Sequence, residues 1–199
     1  MGRPARSARP YMPGYGTLPA TEGTGLLPWS WAEERLISSR NYWMVTVWPD
    51  AHPHAMPVWG MWHDGAFWFS SSKPSRKSKN LAVNPRCVVT TEDALNPVVV
   101  EGIAELLSDP ADIAKLLALE NAKYETDYKI ESLDPAVNSC FRVRPIWAFG
   151  IEHGDFEGSP TRWEFWRTRL RSWWFRLQGT ARPNKRPPQS RIRSPSAWS

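Results

Sequence analysis

Residues 54–72 read HAMPVWGMWHDGAFWFSSS, two apolar runs on either side of His63-Asp64-Gly65. Asp-Gly supplies the positive φ that a tight hairpin requires. The stretch therefore predicts a strand from His54 to Trp62, a reversal, and a returning strand from Ala66 to Ser71. Pro57 has no N–H to give to a ladder, which places the first strand at an edge or a bulge. Upstream, Tyr42 to Trp48 is aromatic and β-branched throughout and stops at Pro49-Asp50, so it predicts a further strand. Downstream, Val88–Thr91 and Val98–Leu107 predict two more. Phe141–Ile151 predicts a long last strand interrupted at Pro145, with Arg162–Trp166 as a short addition.

Three helices fit between these strands. Ser30 followed by Glu33 has capping-box spacing and opens a helix that ends near Ser39. Lys73 to Leu81 reads as a loop opening a short helix, closed by Asn84-Pro85 because proline pushes its predecessor out of the α region. Asp109-Pro110 opens the third, with Ile113, Leu116 and Leu117 at helical spacing. Strands joined mostly by hairpins favour an antiparallel sheet that closes on itself over a doubly wound parallel one. The expected fold is mainly β, a small barrel with peripheral helices.

The chain has 199 residues, 13 of them tryptophan, and a formal charge of +5. That charge is not a property of the barrel. Residues 167–199 hold nine basic residues and no acid, and residues 1–28 carry a net +2, which leaves residues 29–166 at −6. A nucleic-acid reading based on charge therefore concerns only the ends. Residues 1–28, rich in Pro and Gly, predict a loose arm. Residues 29–166 form the expected domain, and residues 167–199 a basic, Trp/Arg-rich tail. Cys87 and Cys140 read as buried free thiols. No apolar run approaches the roughly 20 residues of a membrane span, and the arginines near the start precede no apolar stretch, so a soluble cytoplasmic protein is the expectation.

Candidate chemistry concentrates between Pro57 and Arg86. A hairpin strand delivers Ser70, Ser71 and Ser72, and Lys73, Arg76, Lys77 and Lys79 follow directly, with Asn80 in the opening turns of a helix. Hydroxyls, cations and free helix N–H groups are what a phosphate needs, although a solvated, lysine-rich helix face has the same composition. His52, His54 and His63 lack a further ligand at metal spacing and read as loop histidines. Glu92-Asp93 reads as a solvated turn. No nucleophile elbow, P-loop or Gly-x-Gly-x-x-Gly is present, which suits chemistry carried by a bound cofactor.

Met56-Pro57-Val58-Trp59-Gly60, Asp64–Ser71, Ser75-Arg76-Lys77, Asn80–Arg86, Val98–Ala104 and Phe141-Arg142-Val143-Arg144-Pro145 together resemble the pyridoxamine 5'-phosphate oxidase-like superfamily over roughly residues 28–166. The resemblance implies a six-stranded antiparallel split β-barrel and a homodimer. It also implies FMN or the deazaflavin coenzyme F-420 at the dimer interface. It carries phosphate contact to Lys77 first and Arg76 second, with Ser70 and Ser71 at the adjoining strand end and Asn80 as a further match. Val58 and Trp59 match the strand that runs along the cofactor ring. The sequence lacks the late Arg-x-His pair of true pyridoxamine-phosphate oxidases, having Arg144-Pro-Ile and Thr161-Arg162-Trp163 in that region. Its Trp-, Arg- and Pro-rich composition is similar to that of actinobacterial proteins, in which deazaflavin users are common.

The implied activity is hydride transfer to or from a small organic substrate, with Trp59, Trp147 or Trp163 as stacking walls. The alternatives are a non-catalytic cofactor carrier or storage protein on the same fold, and nucleic-acid or membrane-surface binding through the C-terminal tail. There Trp166, Trp173, Trp174 and Phe175 interleave with Arg167, Arg169, Arg171 and Arg176.

Overall fold

The computed structural model describes residues 4–165; the basic tail and the readings attached to it lie outside them. β2 (Tyr42–Val47), β3 (Pro53–Val58), β4 (Met61–His63), β5 (Ala66–Ser72), β6 (Arg86–Thr91), β7 (Val98–Leu106), β8 (Asn138–Gly150) and β9 (Thr161–Glu164) pair antiparallel throughout, as does a short β1 (Arg6–Ala8). The order is β1-β9-β8-β7-β6-β2-β3, and a branch through β5 to β4 leaves β8. β8 is long enough to serve both arms. One of its edges carries β7, and the other pairs with β5 over Asn138–Val143 and with β9 over Trp147–Gly150. It runs on through Pro145, and the ladder to β7 shifts register between Glu101 and Gly102, passing over Ile146.

The sheet curls without closing by hydrogen bonds. β2 and β5 do not pair, yet the Tyr42 and Phe67 rings meet edge to face at 4.7 Å. Tyr42, Met44, Phe67, Phe69, Val89, Val100, Phe141 and Val143 belong to one buried cluster. α3 (Pro110–Tyr124) starts on Asp109, whose carboxylate accepts the Ala111 N–H at 2.9 Å. It covers the outside of β4 and β5, where Met61, Ala66, Trp68 and Cys140 pack with Ile113, Leu116 and Tyr124. β5 is thus buried on both faces, which is why Ala-Phe-Trp-Phe does not alternate apolar and polar. α1 (Trp29–Ser38) lies on β4 and β7.

The expected strand from His54 to Trp62 is two strands. β3 ends at Val58 and β4 begins at Met61. Gly60 passes so near Phe67 that a Cβ there would stand 2.2 Å from Phe67 Cζ. A buried peptide off the ladder needs other partners, and the last turn of α3 provides them. Gly60 N–H donates to the Tyr124 hydroxyl at 2.8 Å, and Gly60 C=O accepts from Lys123 Nζ at 2.9 Å. Tyr124 then donates to the Arg40 carbonyl at 2.6 Å. Lys123 donates a second bond, of 2.8 Å, to the Tyr42 hydroxyl, which donates to the Leu36 carbonyl. This break and β1 add two strands to the six expected and the short Arg162–Trp166 addition, which forms as β9, and the total is nine.

Two other expectations are corrected. Residues 4–28 are not loose: β1 pairs with β9, Arg9 donates to the Pro160 and Pro19 carbonyls, and Asp155 accepts the Thr24 N–H at 2.6 Å. The capping box does not form, because α1 begins at Trp29, one residue before Ser30. Glu33 instead accepts from the Trp62 indole at 3.3 Å. The Asp64-Gly65 turn has the positive φ expected, 52° and 69°. Pro57 lies on the edge strand β3.

Gly60→Ala must push the Phe67 ring or break the clamp. It should cost about 1–3 kcal/mol, read as a shift in urea midpoint at unchanged slope. Burial pushes the Lys123 ammonium down to about 8, against the pull of Glu92 and with help from Arg40. The unfolded amine titrates near 10.5, so between those values the unfolded chain holds more protons and the lysine's contribution to stability rises with pH. A neutral amine still has two N–H groups for its two acceptors. Urea unfolding of wild type and Lys123→Met from pH 7.5 to 10 (roughly the span of the titration) should show wild type gaining on the variant as pH rises. A constant difference would contradict the assignment.

Candidate functional site

The site is built where α2 (Arg76–Val83) leaves β5 and lies back on β2. Ser75 caps the helix, its hydroxyl accepting the Ser78 N–H at 3.3 Å. Ser71 and Ser75 hydroxyls lie 2.9 Å apart, and Ser75 donates to Ser78 at 3.1 Å, so three hydroxyls form a chain beneath the helix start. α2 has no acid in its first turn, so its free N–H end and its cations face no internal anion there.

The four cations of this segment separate. Lys73 turns to the Pro135 carbonyl at 3.1 Å, and Lys79 is solvent-exposed. Arg76 lays its guanidinium on the Trp48 ring, 3.5 Å from the centroid, and His52 stacks on Trp48 at 4.5 Å. Lys77 is half-buried, and that burial lowers its ammonium from the usual lysine value. Among the described residues no carboxylate pairs with Arg76 or Lys77, and neither donates a hydrogen bond. An arginine held flat on an aromatic and a partly desolvated lysine, both with unspent donors, form a competent anion site.

Ser70 and Ser71 do not act together. Successive strand residues face opposite ways, and while Ser71 joins the hydroxyl chain, Ser70 lies on the side of Glu120 of α3. That buried carboxyl is pushed above its ordinary range by desolvation, with Ser70 opposing the shift. Asn80 is 1% exposed and spends its amide on Thr46 Oγ1 at 3.0 Å, so it sits behind the surface a ligand would touch. Val58 is buried in the core and offers only backbone.

Trp59, at the strand break, is 44% exposed and stacks face to face on Tyr124, with centroids 4.2 Å apart and planes within 4°. One ring face is spent on Tyr124, and the residue's exposure leaves aromatic surface for a ligand. Trp163 is fully buried against Trp29 at 5.6 Å and cannot be a stacking wall. Desolvation pushes the Cys140 and Cys87 thiols up to about 11 and about 12, so neither supplies a thiolate near neutral pH. Glu92 is exposed, as a turn residue should be, but its carboxylate also holds the N–H groups of Arg40 and Asn41.

Sequence reasoning missed Trp48, Thr46 and Tyr124. Tyr124 was within reach, since Ile113, Leu116, Glu120 and Tyr124 form the buried stripe of α3. Trp48 and Thr46 join the site only because α2 lands on β2, which no local pattern states. Of the three histidines read as loop residues, His54 lies within β3 and His63 ends β4, while His52 stands outside the strands. Among the described residues no three His, Cys, Asp or Glu side chains gather as a metal would require, and no helix is long and apolar enough to cross a membrane.

Hydroxyls and unspent cations at a helix start, with an aromatic platform at the far end of β3, fit a molecule that joins a phosphate to a planar ring. Comparison with known proteins places the fold. A conserved hypothetical protein from Mycobacterium tuberculosis is 22% identical, with a TM-score of 0.58 over 64% of this chain and 86% of its own. A protein of unknown function from Agrobacterium tumefaciens is 21% identical, with a TM-score of 0.53 over 63% and 57%. These likenesses speak to the fold alone. No curated protein matches the chain. The family model for pyridoxamine 5'-phosphate oxidase matches residues 32–149, more than half of the chain and nearly all of the sheet, and the chain therefore belongs to the pyridoxamine 5'-phosphate oxidase family, with its split β-barrel fold.

Proposed function

We propose that this protein is an oxidoreductase that binds FMN or the deazaflavin coenzyme F-420 as a homodimer and moves a hydride to or from a small organic substrate. The carrying observation is the pair Arg76 and Lys77. In a domain with a net charge of −6 over residues 29–166, these cations keep their donors unspent beside a hydroxyl chain. Surface lysines of a solvated helix face gain nothing from stacking or burial, so this placement favours a ligand reading over a charged surface.

The roles follow from the geometry. Arg76 and Lys77 hold the phosphate. Ser71 orders the hydroxyl chain that fixes Ser75 at the helix start. The backbone at Val58 and the ring of Trp59 orient the cofactor ring, and Tyr124 keeps Trp59 from turning away. When bound, the cofactor supplies the hydride chemistry. The barrel supplies orientation and excludes water, which is consistent with two thiols held neutral.

Purified protein titrated separately with FMN and with the deazaflavin coenzyme, followed by absorbance and fluorescence, should bind at least one of them at micromolar concentration or tighter. Charge-assisted hydrogen bonds contribute about 1.5–3 kcal/mol each, so Lys77→Ala should weaken that binding by about 10- to 100-fold. Ser70→Ala should leave it nearly unchanged. Binding of neither cofactor below high micromolar concentration, or a Lys77→Ala protein that binds as wild type does, would refute the reading.

A further inference from the structure

We infer that His54 is an additional ligand of the bound phosphate, presented as a neutral Nε2–H donor by a buried relay from Asn80 through Thr46. The inference rests on the cofactor reading above and adds a residue to that site.

Asn80 and Thr46 are 1% and 0% exposed. Asn80 Nδ2 donates to Thr46 Oγ1 at 3.0 Å, and Thr46 Oγ1 lies 3.4 Å from His54 Nδ1. A hydroxyl has one proton to give. With one lone pair taken by Asn80, the Thr46 proton is available to Nδ1, and the relay assigns it there, with Nδ1 as the unprotonated nitrogen. The ring proton of neutral His54 therefore sits on Nε2. Turning the Asn80 amide over would reverse the relay, but it would leave both N–H groups of a buried amide without an acceptor. The present orientation leaves only the carbonyl oxygen unpaired, and buried carbonyls tolerate that better than N–H groups.

The relay also fixes where His54 stands. Thr46 and Trp48 are two residues apart, on one face of the β2 stretch. Asn80 and Arg76 are four apart on one face of α2, and each rests on its partner, Asn80 on Thr46 and Arg76 on Trp48. His54 is paired directly opposite Thr46 in the ladder, and His52 stacks on Trp48. The guanidinium of Arg76 rests on Trp48, just past the end of β2, and the imidazole of His54 lies beside Thr46, two residues earlier. His54 is partly exposed, and Nε2 makes no hydrogen bond among the described residues. A donor in that position suits phosphate oxygens beside Arg76 and Lys77. Asn80 then acts as a positioning residue through Thr46 and makes no contact with the ligand.

Two measurements test this. Long-range 15N–1H NMR of the ligand-free protein should show the His54 ring in the Nε2–H form, and Thr46→Val should relax it toward a mixture. An Nδ1–H ring in wild type overturns the relay. Second, FMN and phosphate-free riboflavin, and the deazaflavin coenzyme and its phosphate-free chromophore, are titrated into wild type, His54→Ala and His54→Gln. His54→Ala should weaken the phosphate-bearing member about tenfold and leave the phosphate-free member within twofold, and His54→Gln, which keeps an N–H donor, should recover part of the loss. Equal weakening of both members, or none, overturns His54 as a phosphate ligand while leaving the cofactor reading intact. A wild-type protein that binds no member of either pair overturns the cofactor reading and this inference with it.

Discussion

A single peptide, Gly60, has to leave the sheet inside a crowded interior, and much of the molecule is arranged around meeting its two hydrogen bonds. The Phe67 ring excludes any side chain there. With no ladder partner, the N–H and C=O must be satisfied by the last turn of α3, through Tyr124 and Lys123. The same two side chains reach Arg40 and Tyr42. One cluster thus ties the break in the barrel wall to the outer helix and to the start of β2. The desolvation of Lys123 is the cost of that position, and its hydrogen bonds are what offset it.

The clamp has a consequence for the site. Trp59 precedes Gly60, so fixing Gly60 fixes the point at which Trp59 leaves the strand, and Tyr124 holds the ring by stacking. The aromatic platform is therefore held both through its backbone neighbour and through its ring. At the other end of β3, α2 rests on β2 by a match of two spacings. One turn of helix advances about 5.4 Å and two strand residues about 6.6 Å, close enough for Arg76 and Asn80 to settle on Trp48 and Thr46. A preorganised arginine and a preorganised ring lose less entropy on meeting a ligand than free surface side chains would.

Much of this was legible in local chemistry. The Asp64-Gly65 turn, the Asp109-Pro110 helix start and the edge position of Pro57 each follow from one residue's conformational or donor restrictions. The cation-rich segment after Ser72 was also visible, since charge density and residue order are properties of the chain. Two local signals misled. Ser30 and Glu33 have capping-box spacing, but packing of Trp29 on Trp62, Trp163 and Phe165 accompanies a helix that starts one residue earlier. The Pro- and Gly-rich start lacks a core of its own, yet it finds hydrogen-bond partners on β9 and around Asp155.

By itself the sequence determined the antiparallel strands, their hairpins and the cation-rich stretch proposed to hold a phosphate, because turn chemistry, period-two patterning and charge placement act over a few neighbours. Only the tertiary structure decided which of those residues work together. It set Ser70 toward α3 and Ser71 toward α2, split one strand at Gly60, and spent Lys73 on a carbonyl while leaving Arg76 and Lys77 unspent. It also brought Thr46, Trp48 and His54 to a helix about thirty residues further along the chain. These outcomes depend on how a curled sheet and two helices share space, and a contact between distant residues leaves no mark on the neighbours of either one.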